Sequence, residues 1–236
     1  MKVYAFYHCL CINDWLEITN FFFCSLMQPD VLSRFDGIFI CTLMDCPRYP
    51  DVLKHLKISC KKVKHISIGN RMEDFEFTTL RMIHEKSKSE DFKVLYFHTK
   101  GVTWTMESFE KNPDQYFLRF HKADALHDHF LKFSSKFDFF SLRRIKKYLH
   151  NKLRHFLIEG SEEYIELLDT YDVVGLESLE NCFLRNFWWS KSTYIRTLDF
   201  PQNTSDRMVA ENWIMSRCKK IKSTHTQQPT RYSILM

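Results

Sequence analysis

Residues 92–101, Phe92-Lys93-Val94-Leu95-Tyr96-Phe97-His98-Thr99-Lys100-Gly101, pass from a run that favours burial straight into groups that do chemistry. Val94 to Phe97 is apolar, β-favouring and without alternation, the pattern of a central strand covered on both faces. An imidazole, a hydroxyl, an ammonium and a glycine follow at its carboxyl end. In open α/β sheets ligands bind outside the carboxyl ends of the strands. Lys100 before Gly101 therefore reads as a cation delivered to an anion, with a residue that lets backbone approach closely. A polar strand exit with a surface lysine and a turn glycine accounts for the same ten residues.

A second dense cluster is Asn186-Phe187-Trp188-Trp189-Ser190. Indole faces suit the C–H face of a sugar, and tryptophan keeps an edge near a polar partner. A packed strand-to-helix junction explains the run equally well. Arg207 and Glu211 lie four apart, on one helix face, as a working pair or an ion pair. At the first strand exit, His8, Asn13 and Asp14 are candidate contacts to a base and ribose, or else a core-edge histidine and capping residues. Histidines 121, 127 and 129 lack HExxH context, so a helix-borne zinc site is not indicated. His225 is the only soft metal-binding group in a polar, irregular tail, 223–229.

The elements that must position these groups follow from periodicity. Val3 to Leu10 reads as a strand, and Trp15, Ile18, Phe22 and Leu26 recur at helical spacing after it. Gly37 to Leu43 is a second strand, with a short helix around Val52 to Leu56. Lys64 to Ile68 is a third strand, and Phe75 to about Lys86 a helix that Ser87-Lys88-Ser89-Glu90 breaks. With residues 92–101 the order is β-α-β-α-β-α-β, which predicts a mostly parallel, doubly wound sheet. A helix begun near Pro113 and a basic stretch, Arg143 to Arg154, form a helical insertion after the central strand. On that stretch Arg143, Lys147 and Arg154 share a face, either solvated or resting on an anionic surface. Tyr171 to Gly175 reads as a further strand, and Asp206 to Arg217 as a last helix capped from Asn203-Thr204-Ser205.

At 236 residues, 44% hydrophobic and 16% aromatic, the chain can bury one sizeable core. A net charge of +5 suits an anionic ligand such as a nucleotide diphosphate and falls short of a nucleic-acid binder. The eight cysteines contain no CxxC pair and read as reduced core thiols. With no apolar run of membrane-spanning length, the expectation is a soluble protein of a reducing compartment, the cytoplasm.

Together, Leu95-Tyr96-Phe97-His98-Thr99-Lys100-Gly101, Tyr171-Asp172-Val173-Val174-Gly175, Asn186-Phe187-Trp188-Trp189 and Arg207-x3-Glu211-x-Trp213-Ile214 resemble a motif succession. It is that of a family of glycosyltransferase-like proteins of bacteria and large DNA viruses: a strand ending in HTKG, then D-x-V-G, G-N-F-W-W and R-x3-E-x-W-I. The resemblance spans residues 92–214, and Arg185 stands where the pattern has glycine. It implies a Rossmann-like GT-A fold for residues 1–236, with a nucleotide-binding half, 1–101, and a half carrying the helical insertion and acceptor side, 102–236. It also implies transfer of a sugar from a nucleotide-diphosphate-sugar donor to a glycan, glycoprotein or other hydroxyl acceptor.

On that resemblance His98, Thr99, Lys100, Gly101 and Arg207 join His8, Asn13 and Asp14 as donor-binding candidates, and Asn186, Trp188 and Trp189 face the sugar or acceptor. Glu211 is the expected base, with Asp172 and Asp206 as alternatives, and Lys100 neutralises the leaving diphosphate. GT-A enzymes usually hold Mn²⁺ or Mg²⁺ with a D-x-D pair where this chain has His98-Thr99-Lys100. Hard cations prefer carboxylates, so either no metal is needed or one binds through His98, His225 or a carboxylate elsewhere. The alternative function is a non-catalytic module that holds a glycan or an anionic partner.

Overall fold

The computed structural model describes residues 1–43, 52–69, 74, 76–99, 146–147, 150–176, 178–179, 182–183, 186–202, 204–217 and 220–224. The helical insertion expected between Gly101 and Arg143 lies outside them, as do Lys100, Gly101 and His225.

The chain is an α/β protein built on a seven-stranded sheet of order β3-β2-β1-β4-β8-β5-β9. The strands are β1 (Lys2–Leu10), β2 (Gly37–Leu43), β3 (Val63–Gly69), β4 (Phe92–His98), β5 (Val173–Leu176), β8 (Trp188–Lys191) and β9 (Ile221–Thr224). Two short strands, β6 (Ser178–Leu179) and β7 (Cys182–Phe183), pair only with each other. Pairing is parallel from β3 through β4 and between β5 and β9, whereas β8 runs antiparallel to both β4 and β5. The sheet is thus mostly parallel, flanked by helices and compatible with a Rossmann-like fold. Strands from before residue 100 and after residue 145 together complete it.

Side-chain alternation divides the core into two layers. Odd residues of β1 (Ala5, Tyr7, Cys9) and Leu95 and Phe97 of β4 face helix α1 (Trp15–Leu26), which buries Trp15, Ile18, Phe22, Phe23 and Leu26. Each such side chain contributes roughly 1.5–3 kcal/mol on leaving water. Tyr4 and Phe6 of β1 and Val94 and Tyr96 of β4 face helix α4 (Phe77–Ser89). The short α2 (Pro29–Ser33) starts with proline at its first turn, and α3 (Val52–His55) spans one turn. The basic stretch ends in a π-helix, Arg154–Glu159, followed by α5 (Ser161–Leu167). After β8 come α6 (Ser192–Ile195), α7 (Arg207–Asn212) and a 3₁₀ turn, Trp213–Met215.

Three local expectations change. Ser87 and Ser89 do not break α4, because their hydroxyls donate to the carbonyls of His84 and Lys86, with Lys88 paired to Glu85. Asp206 caps α7, accepting from Met208 N at 2.8 Å, in place of residues 203–205. The start of the tail is strand, since β9 extends through Thr224 beside β5. Among the described residues no helix is long and apolar enough to cross a membrane. Cys9, Cys11, Cys24, Cys41 and Cys60 are free thiols.

Candidate functional site

The chain lays β2 and β3 to one side of β1, then crosses to place β4 on the other. The direction of winding therefore reverses between β1 and β4, the place where open α/β sheets form their ligand crevice. The register sets His8 beside His98 at the carboxyl ends of those two strands. Thr99, the next residue, closes the edge: its N–H donates to the His8 carbonyl at 3.1 Å and its hydroxyl accepts from Leu10 N at 2.9 Å.

Both imidazoles lie on the α4 side and are buried, His8 at 4% exposure and His98 at 4%. Thr79 of α4 holds His8 through Nδ1 at 2.9 Å. Glu76, just ahead of α4 and itself buried, puts Oε1 3.7 Å from His98 Nε2. Its other oxygen accepts from Asn186 Nδ2 at 2.6 Å, and Asn186 Oδ1 accepts from Trp188 Nε1 at 3.1 Å. A carboxylate withdrawn from water needs such donors, because an unpaired buried charge is strongly unfavourable. Asn186 adopts φ of 55°, a left-handed conformation that asparagine tolerates better than most residues. The edge thus carries two imidazoles, a carboxylate and an amide in one locked set. Cys41, on the same layer, is buried, and burial pushes its thiol up to about 12 against the opposing hydrogen bond from Thr79.

The tryptophans are placed differently from the sugar platform expected of them. Both are fully buried on β8. Trp188 stacks on Tyr96 at 4.9 Å on the α4 side, and Trp189 packs on Phe35 at 5.8 Å on the α1 side, its Nε1 donating to the Leu157 carbonyl. Three consecutive aromatics lead into and occupy a strand covered on both faces, so neither indole presents a face to a sugar.

Asp172 is also elsewhere. It sits at the start of β5, where its N–H donates to the Lys220 carbonyl and its carboxylate pairs with Lys191 at 3.2 Å. Lys191 is in register with Lys93, five strand residues below His98. That puts Asp172 at the opposite edge, on the order of 16 Å away along the strands. A catalytic role for Asp172 at the β1–β4 edge is therefore excluded by the register. Glu211 is half-buried on α7, in the layer over the α4 side of the sheet. Arg207 is the first residue of that helix, and its side chain is not among those described. Asn13 is exposed with φ of 49°, and Asp14 precedes α1 without a side-chain capping bond, paired instead with Lys146 at 2.9 Å.

Glu76, Thr79 and Lys146 went unmarked in the sequence. Glu76 carried a signal: with Leu80, Ile83 and Ser87 it continues the buried stripe of α4 at helical spacing. A carboxylate on an apolar stripe is the informative exception. Among the described residues no three His, Cys, Asp or Glu side chains come together as metal ligands. The edge donors do not fit a metal either, since both Glu76 oxygens face Asn186 and His98.

Fold and edge together define an α/β protein with a polar cluster at the winding reversal of its sheet. No protein-family model matches the chain, and no curated protein matches it.

Proposed function

We propose that the chain is a glycosyltransferase that moves a sugar from a nucleotide-diphosphate-sugar donor to a glycan or glycoprotein hydroxyl. One observation carries this reading: β4, which ends at His98 and continues in sequence as Thr99-Lys100-Gly101, has its carboxyl end at the β1–β4 reversal, beside the exit of β1 with Asn13 and Asp14. That edge is where a nucleotide is held in sheets of this kind.

In this reading His98 and Thr99 form the floor, fixed by Glu76 and by the end of β1, and Lys100 supplies positive charge to the departing diphosphate. Glu211 takes the acceptor proton. The rival reading is a non-catalytic module that holds a glycan on the aromatic cluster or an anionic partner on the basic stretch; burial of Trp188 and Trp189 removes its glycan platform, and the same burial removes them from the sugar site of the transferase.

Thermal-shift screening against nucleotide-diphosphate sugars, with and without Mn²⁺, tests the proposal. A donor-dependent rise in melting temperature with slow donor hydrolysis is expected, and hydrolysis should vanish in Lys100→Met. No response to any nucleotide sugar would remove the transferase reading.

A further inference from the structure

Residues 52–69, which supply α3, the turn after it and β3, hold five lysines and no acidic residue. That equals the whole net charge of +5, so the rest of the chain balances at 29 basic and 29 acidic residues. In the other basic stretch Lys146 and Arg154 are answered by Asp14 and Glu159. Here the cations stay open. Lys62 donates to the Leu32 and Phe35 carbonyls and fixes the turn on the end of α2. Lys57, Lys61 and Lys64 are exposed and form no ion pair with a described residue.

The fold brings these three cations to one corner. Leu56 and Ile58, on either side of Lys57, pack against the α1-side core. Lys64 stands on the opposite face of β3, in register with Phe39, which packs on the α4-side core. Lys61 lies at the turn between them, where Val63 N–H donates to the Cys60 carbonyl. Because β3 is the last strand of the sheet, the lysines surround its outer corner, with Lys61 and Lys64 at the amino edge. His8 and His98 lie at the other edge. Lys57 has φ of 53°, a left-handed position after α3 that glycine fills with less strain. A charge stands there against a backbone cost.

The residue types give the partner its chemistry. Protein interfaces are anchored by Trp, Tyr and Arg and are poor in Lys. Residues 52–69 contain no Trp, Tyr, Phe or Arg. Lysine is a compact point charge on a flexible stem, suited to a diffuse layer of anions more than to one planar group. We propose that this corner rests on an anionic lipid surface as a peripheral contact. Such contact leaves the β1–β4 crevice facing solution, and it stands whether or not a nucleotide binds there.

Co-sedimentation of the full chain with vesicles of phosphatidylcholine alone, or of phosphatidylcholine and phosphatidylserine in equal parts, tests it. Binding is expected to the anionic vesicles only and should weaken with added salt, each lysine at such a surface being worth about fivefold in partition. Lys57→Gln, Lys61→Gln and Lys64→Gln combined should lower partition on the order of a hundredfold. The same charge removed by Lys2→Gln, Lys88→Gln and Lys220→Gln should lower it less than about tenfold. Lys57→Gly should raise the urea midpoint of unfolding while weakening vesicle binding. Equal losses in the two triple variants overturn the site, since net charge alone then explains binding. Failure to bind the anionic vesicles, or equal binding to both kinds, overturns it as well. Capture by polyglutamate in place of vesicles assigns the corner to an acidic protein and overturns the lipid surface.

Discussion

Asn186 Nδ2 donates to Glu76 Oε2 at 2.6 Å, tying the approach to β8 to the start of α4 under the β1–β4 edge. The same amide accepts from the Trp188 indole while its backbone holds φ of 55°. Asn186→Ala leaves a buried carboxylate one donor short and puts alanine in a left-handed conformation. The expected loss is about 2–4 kcal/mol, read from urea unfolding. A loss below about 1 kcal/mol would mean that water or a rotated neighbour replaces the amide without penalty. Glu76→Gln, which keeps the shape and relieves the buried charge, should cost less than Asn186→Ala.

Trp189→Phe removes an indole N–H that donates to the Leu157 carbonyl at 3.0 Å in a fully buried site. Stability should fall by about 1–3 kcal/mol, the cost of an orphaned carbonyl and lost packing. Glycan affinity, measured by titration with the acceptor, should not change. A variant that keeps its stability and loses glycan binding would restore Trp189 to the surface role suggested by its sequence.

The contrast between Trp189 and His98 shows what was legible. Strands β1 and β2 and helix α1 could be read directly, since continuous apolar runs and a helical repeat each have one economical interpretation. His8 and His98 followed, because an imidazole at the end of a buried parallel strand must lie at the carboxyl edge. Strand β8 was illegible as a strand: Phe187-Trp188-Trp189 has no period when both faces are covered, and its antiparallel entry between β4 and β5 has no local marker. Glu76 and Lys146 could not be assigned roles locally, since Asn186 lies 110 residues from Glu76 and Asp14 132 residues from Lys146. Asp172 misled for the converse reason, a motif residue whose strand delivers it to the other edge.

Gly175 explains the glycine in Asp172-Val173-Val174-Gly175 without reference to any ligand. A Cβ there would overlap the ring of Phe183, which packs directly on the strand backbone. Gly175→Ala should cost about 1–3 kcal/mol through forced repacking. Adding Phe183→Leu should recover part of that loss relative to the sum of the single changes, as neighbours sharing one contact are not additive. Strict additivity in unfolding experiments would show that the ring does not set the requirement.

Glu90, between α4 and β4, contributes to the acid limb of stability. The hydrogen bond from Lys86 is the largest cause holding its carboxyl down at about 2 instead of the usual 4.5; burial opposes this, and Lys2 and Tyr4 assist. A carboxyl with a depressed folded value stabilises fully above its unfolded value and progressively less as protons return. Its contribution is therefore complete above pH 4.5 and disappears as pH falls through about 2. Urea midpoints of the wild type should exceed those of Glu90→Gln near neutrality, with the gap closing over that window. Added salt should narrow the gap at neutral pH, since Lys2 is 59% exposed and its share of the attraction is screened. A gap that stays constant from neutrality down to pH 2 would show that the glutamate acts through shape and not through charge.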